Sequence, residues 1–168
     1  SPFLRTKETS EIVSEATGAK IYFDERLKEI DHGSGCEGKS GPVCLPGEGL
    51  RGIPSLDFRF GDGESWNDVR KRMMNFALEI DKKYEGKKIL VVGHGDPLAV
   101  LTGNSWGWSD KQLLEMLRGY GGSSQFLDKE SKFNFYPKKG KFYKTELKNW
   151  PWDENGSLNP HRPHIDEA

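Results

Sequence analysis

One stretch constrains this chain more than any other: Lys87-Lys88-Ile89-Leu90-Val91-Val92-Gly93-His94-Gly95-Asp96-Pro97-Leu98-Ala99-Val100. The apolar run from Ile89 to Val92, with its β-branched bias, reads as a short strand buried on both faces. Gly93-His94-Gly95 follows as a tight turn. Asp96 and Pro97 then suit the cap and first turn of a helix. A histidine between glycines at the carboxyl end of a buried strand stands where open α/β sheets place their ligands. The alternative is a turn histidine that merely caps the helix.

Charge and cysteine usage narrow the classes. Twenty-five Lys and Arg against 26 Asp and Glu leave a formal net charge of −1, so no basic field points to nucleic acid and no acidic tail is present. A mean hydropathy of −0.75 and the lack of a long apolar run argue against a membrane span. No signal peptide is legible, and a cytoplasmic location is expected. The chain opens on Ser1 inside what reads as an element, which suggests a fragment. Cys36 and Cys44 lie in a Gly/Pro-rich loop; a bridge is possible, but two thiols without a secretion signal are expected to be free. Together with His32 they show no metal-ligand spacing, and no metal site is expected.

Taken in order, Ser1 to Thr9 lead into Ile12, Val13 and Ala16, a spacing that predicts a helix closed by Gly18. Arg5 falls at its start, where the helix dipole prefers acids, so this cation is a candidate for function. Lys20 to Phe23 reads as a short strand, and Asp24 to Asp31 follows it. From His32 to Gly63 the periodicity disappears among glycines and prolines, as in a lid or insertion. Ser65 and Asp68 resemble a capping box with a shorter acid. Behind it, Trp66, Val69, Met73, Phe76, Ala77, Ile80 and Tyr84 mark a core-facing stripe that ends at Gly86. A further helix is expected from Ser109 through Leu113, Leu114 and Leu117, ended by Gly119, Gly121 and Gly122. Gln125–Leu127, Lys132–Tyr136 and Phe142–Leu147 look like terminal strands. The alternation predicts a three-layer α/β/α sandwich. Residues 1–148 form its domain, with 32–63 as the lid, and 149–168 form an irregular tail.

These pieces together resemble the histidine phosphatase superfamily, the phosphoglycerate-mutase-like fold. The likeness rests on Ser1-Pro2-Phe3-Leu4-Arg5-Thr6-Lys7-Glu8-Thr9, Asp24-Glu25-Arg26-Leu27-Lys28-Glu29-Ile30-Asp31, Gly63-Glu64-Ser65 with its amphipathic helix, and Val91-Val92-Gly93-His94-Gly95, in that order. The resemblance implies that His94 is the family's second histidine, that Arg5 is a phosphate-binding arginine, and that Glu29 donates a proton to the leaving group. Gly95 would join the phosphate pocket, with Glu64 and Ser1 as weaker candidates; Glu64 reads equally well as a first-turn acid. The chemistry is coherent. A phosphoryl group in transfer spreads negative charge over its equatorial oxygens, which a guanidinium and an imidazolium stabilise, and the departing oxygen needs a proton.

The family's nucleophile is the histidine of an Arg-His-Gly motif, and none occurs in these 168 residues. The expectation is therefore an N-terminally truncated domain, inactive alone in phosphomonoester hydrolysis through a phosphohistidine intermediate. A non-catalytic phosphate-binding module is the alternative. The lid has few clustered charges to grip a second phosphate, Arg51 and Arg59 being its obvious cations, which favours a phosphatase over a mutase. No cofactor is implied, and the partner is a phosphorylated small molecule. Separately, residues 154–167 are similar to the Leu-x-x-His-Arg-Pro-Tyr-Ile-Asp segment of isoleucyl-tRNA synthetases, with His164 in place of Tyr. That likeness implies a synthetase carrying this domain as an insert, with tRNA and ATP as partners of the parent chain.

Overall fold

A computed structural model describes residues 1–39, 52–120 and 140–141. Four α-helices organise them: α1 (Leu4–Thr17), α2 (Trp66–Lys83), α3 (Gly95–Ser105) and α4 (Asp110–Tyr120). Two short 3-10 turns, Glu25–Leu27 and Ser34–Cys36, lie between α1 and α2. Among the described residues there is no strand, which overturns the three-layer α/β/α sandwich. Residues 20–23 and 89–92 are in neither helix nor ladder. A β-branched run records fitness for a pleated surface; it does not supply the neighbouring strand that a ladder needs. Ile89 and Leu90, expected inside, are 45% and 49% exposed. The segments expected to be strands beyond residue 124, and the tail from 149, lie outside the described residues.

The helices follow the sequence more closely. α1 ends on Gly18 in the left-handed conformation, with its N–H donating to the Ser14 carbonyl at 2.8 Å. α1 does not bring its apolar residues to the core, however: Ile12 is 68% exposed. The capping box at α2 forms in full, Ser65 Oγ accepting from Asp68 N–H at 3.1 Å and Asp68 Oδ2 from Ser65 N–H at 2.8 Å. Its stripe is the centre of the core: Trp66, Val69 and Met73 are fully buried, Phe76 and Ala77 nearly so. Against them pack Ala99, Val100 and Leu101 of α3, and Leu113, Met116 and Leu117 of α4. Gly103 allows the α3–α4 corner to close, since a Cβ there would stand 2.7 Å from Trp108 Cε3. Ser109 and Gln112 cap α4 reciprocally, and the helix runs past Gly119 to Tyr120.

Two loops cross in front of α2. The Asp31 carbonyl accepts from Glu64 N–H at 2.7 Å, and Asp31 N–H donates to Glu64 Oε2 at 3.1 Å. Gly33 and Gly63 meet at the crossing: a Cβ on Gly63 would lie 2.3 Å from the Asp31 carbonyl oxygen and 2.5 Å from Gly33 N. The end of the expected lid is tied into the core. Ile53 is fully buried, Leu56 is 4% exposed, and Arg118 Nε and Nη2 donate to the Ile53 carbonyl at 2.9 and 2.6 Å. Residues 40–51, Cys44 among them, lie outside the described residues. Cys36 is in a disulfide and there is no free cysteine among the described residues, which corrects the expectation of free thiols. No described helix is long and apolar enough to cross a membrane.

Candidate active site

His94 is the N-cap residue of α3, and the helix begins at Gly95 rather than behind Asp96. Asp96 is instead a buried acid in the first turn. The His94 side chain makes no capping bond to the helix. It turns the other way, towards the start of the chain. Arg5 Nη2 lies 2.9 Å from His94 Nδ1, and Ser1 Oγ lies 2.8 Å from His94 Nε2. A guanidinium has no lone pair to offer, so Nδ1 must accept from Arg5. The proton therefore sits on Nε2, which donates to Ser1 Oγ. Phe3 completes the enclosure, its ring edge-on to the imidazole at 5.1 Å and beneath the Arg5 guanidinium at 5.1 Å.

The turn that carries Ser1 is held by Thr6, whose Oγ1 donates to the carbonyls of Ser1 and Phe3 at 3.1 and 2.7 Å. The Ser1 amino group donates to the Val92 carbonyl at 3.0 Å, so the two ends of the site are stitched together. His94 is 6% exposed and Ser1 4%. Burial is the largest influence on His94, followed by the Arg5 charge; together they hold its pKa down to about 4. The ring is neutral at pH 7.

Glu29 reaches the same place from the other side. Its Oε1 accepts from Ile30 N–H at 3.0 Å, and its carboxylate also receives the Asp96 backbone N–H at the start of α3. Burial, with the neighbouring Asp96 carboxylate, pushes its pKa up to about 7; the two backbone bonds and Arg5 act in the opposite direction. A carboxyl group that titrates near neutrality can release a proton at working pH.

Glu64 has a different setting. Both its oxygens are taken by Arg72, Nε to Oε1 at 2.8 Å and Nη2 to Oε2 at 3.0 Å. It belongs to the loop crossing and the Arg72 ion pair. The structure thus gathers Arg5, His94, Ser1, Gly95 and Glu29 around the N-terminus of α3, and sets Glu64 behind Glu29. Arg72 is absent from the residues picked out by sequence; it lies among ordinary helix-face cations, and only its bonds to loop carbonyls distinguish it. Among the described residues no group of three His, Cys, Asp or Glu is placed to hold a metal ion.

The family model of the histidine phosphatase superfamily (branch 1) matches residues 1–133. The chain belongs to that superfamily. Among curated proteins it is similar to the probable phosphoglycerate mutase GpmB of Salmonella arizonae, 31% identical over 115 residues, which cover 65% of this chain and 54% of that protein. Proteins of the same name from Salmonella paratyphi B and Salmonella newport are 30% identical over 115 residues, with the same shares of 65% and 54%. The chain spans about half the length of these curated relatives. No solved structure gives a significant match.

Proposed function

We propose that this chain supplies the phosphate-binding and proton-donating part of a phosphoryl-transfer site for phosphomonoesters. The observation that carries the reading is the contact of Arg5 with His94, 89 residues apart in sequence and 2.9 Å in space, with Glu29 beside it. In this reading the Arg5 guanidinium swings its fork from the imidazole to two equatorial oxygens of the phosphoryl group. His94 Nε2–H turns from Ser1 Oγ to the same charge, and the Gly95 N–H at the start of α3 faces it too. Glu29 gives its proton to the departing oxygen as the P–O bond breaks and the phosphoryl group passes to an attacking nucleophile that is not among the residues placed here. The sequence holds no Arg-His-Gly, so the covalent step on a nucleophilic histidine is not assigned to these 168 residues. ATP and tRNA take no part in this proposal.

Hydrolysis is proposed over mutase action because Arg59 is already committed. Its Nη1 donates to the Gly63 carbonyl at 3.0 Å and lies 2.5 Å from Asp68 Oδ2.

The test is binding of inorganic phosphate to the full chain, followed by thermal shift, since a ligand of the native state raises its stability by mass action. Wild type should be stabilised saturably. Arg5→Ala and His94→Ala should each weaken binding about tenfold or more, the scale of a lost charge-assisted bond. Phosphate affinity unchanged in both variants would sink the proposal.

A further inference from the structure

Arg72 spends its guanidinium on the loop that carries Glu29. From the face of α2 it donates to the Arg26 carbonyl at 2.5 Å and to the Glu29 carbonyl at 3.3 Å, while its Nε and Nη2 grip Glu64. Four bonds from one planar fork fix a side chain that is 16% exposed. Glu64 is in turn held by Asp31, on the far side of Glu29, through the loop crossing. Arg72 thus grips the backbone of Glu29 itself, and its anchor is tied to the same loop two residues later.

We infer that Arg72 is a positioning residue that holds the Glu29 carboxyl against the start of α3, with Glu64 orienting the Arg72 fork. The inference deepens the proposed function, because it rests on Glu29 as the proton donor. The charged groups facing the Glu29 carboxyl are Asp96 of α3, which disfavours its ionisation, and Arg5 of α1, which favours it. The Arg72 charge also bears on His94. An Arg72 variant acts on Glu29 through its placement or through its charge, and the two have opposite signs. If the loop loosens, the carboxyl gains water and its titration moves back towards the ordinary carboxylate range. Loss of a nearby cation alone would have the opposite sign, since cations favour the carboxylate.

Carbon-13 NMR of the Glu29 carboxyl in the full 168-residue chain separates these outcomes. Wild type should titrate near 7. In Arg72→Met the midpoint should fall by about one unit or more, a shift well above the scatter of ordinary carboxylates. Glu64→Gln should lower it in the same direction, and Arg72→Lys, which keeps the charge and part of the grip, should fall between Arg72→Met and wild type. A lower melting temperature with an unchanged Glu29 midpoint would make Arg72 merely structural and overturn the inference. A rise in the midpoint, or a wild-type midpoint in the ordinary range, would overturn it too. Should Arg72→Met fail to fold, unchanged midpoints in Arg72→Lys and Glu64→Gln decide against it. Absence of phosphate binding in the wild type would remove the proposed function while leaving this comparison readable.

Discussion

At His94, an arginine settles the state of the ring. Arg5 can only donate, so the imidazole is neutral with its proton on Nε2, and that proton goes to Ser1 Oγ at 2.8 Å. Ser1 and His94 are both buried, so Ser1 is more than a linker before α1. Ser1→Ala would leave the Nε2 donor without this acceptor, a loss of about 1–3 kcal/mol for a buried polar group left unsatisfied. Chemical denaturation of the two chains should show that difference; a change within about 0.5 kcal/mol, the range of ordinary surface substitutions, would mean that Ser1 contributes little. His94, Arg5 and Glu29 were singled out through four ordered motifs, each weak alone. The direct bonds of His94 to Arg5 and Ser1 were not, because hydrogen bonds between residues 89 and 93 apart leave no local pattern.

At the scale of elements, the loop crossing sets the distance between Glu29 and α2. Gly63 stands where a methyl group would fall 2.3 Å from the Asp31 carbonyl oxygen and 2.7 Å from the His32 carbonyl carbon, both backbone atoms that cannot rotate away. Gly63→Ala should therefore destabilise the chain by about 1–3 kcal/mol, the cost of overpacking a close contact. A melting temperature equal to wild type would show that the crossing opens freely. Some helix boundaries were readable and others were not, since α3 starts one residue before Asp96 and α4 runs past Gly119. Gly18 ends α1 and Ser65 starts α2 because caps are local chemistry, satisfied within a few residues. The two expected strands that fall among the described residues failed for the converse reason. A strand is completed only by a neighbour, and Ile89 to Val92 meets none among the described residues. The stretch still matters, since it delivers His94 to the site and its Val92 carbonyl anchors Ser1.

Across the whole molecule, the two shifted groups of the site, Glu29 and His94, pull stability in opposite directions. Glu29, raised from 4.5 to about 7, contributes stability that is present below 4.5 and lost as pH rises through about 7. His94, lowered from 6.5 to about 4, contributes stability that is present above 6.5 and lost as pH falls through about 4. Between pH 4.5 and 6.5 these two slopes offset each other. Glu29→Gln removes one of them, so its melting temperature should climb with pH across that window more steeply than wild type; parallel profiles would show that Glu29 is not held as a buried acid. Both groups also answer to Arg5, which favours a charged Glu29 and disfavours a charged His94. The central claim is that these three residues form one anion site, and nitrogen-15 NMR of the His94 ring tests it most directly. The expected spectrum at pH 7 is that of the neutral Nε2–H tautomer, giving way to the imidazolium with a midpoint near pH 4, with saturable shifts on adding inorganic phosphate. Titration at the ordinary 6.5, with no response to phosphate, would contradict the account.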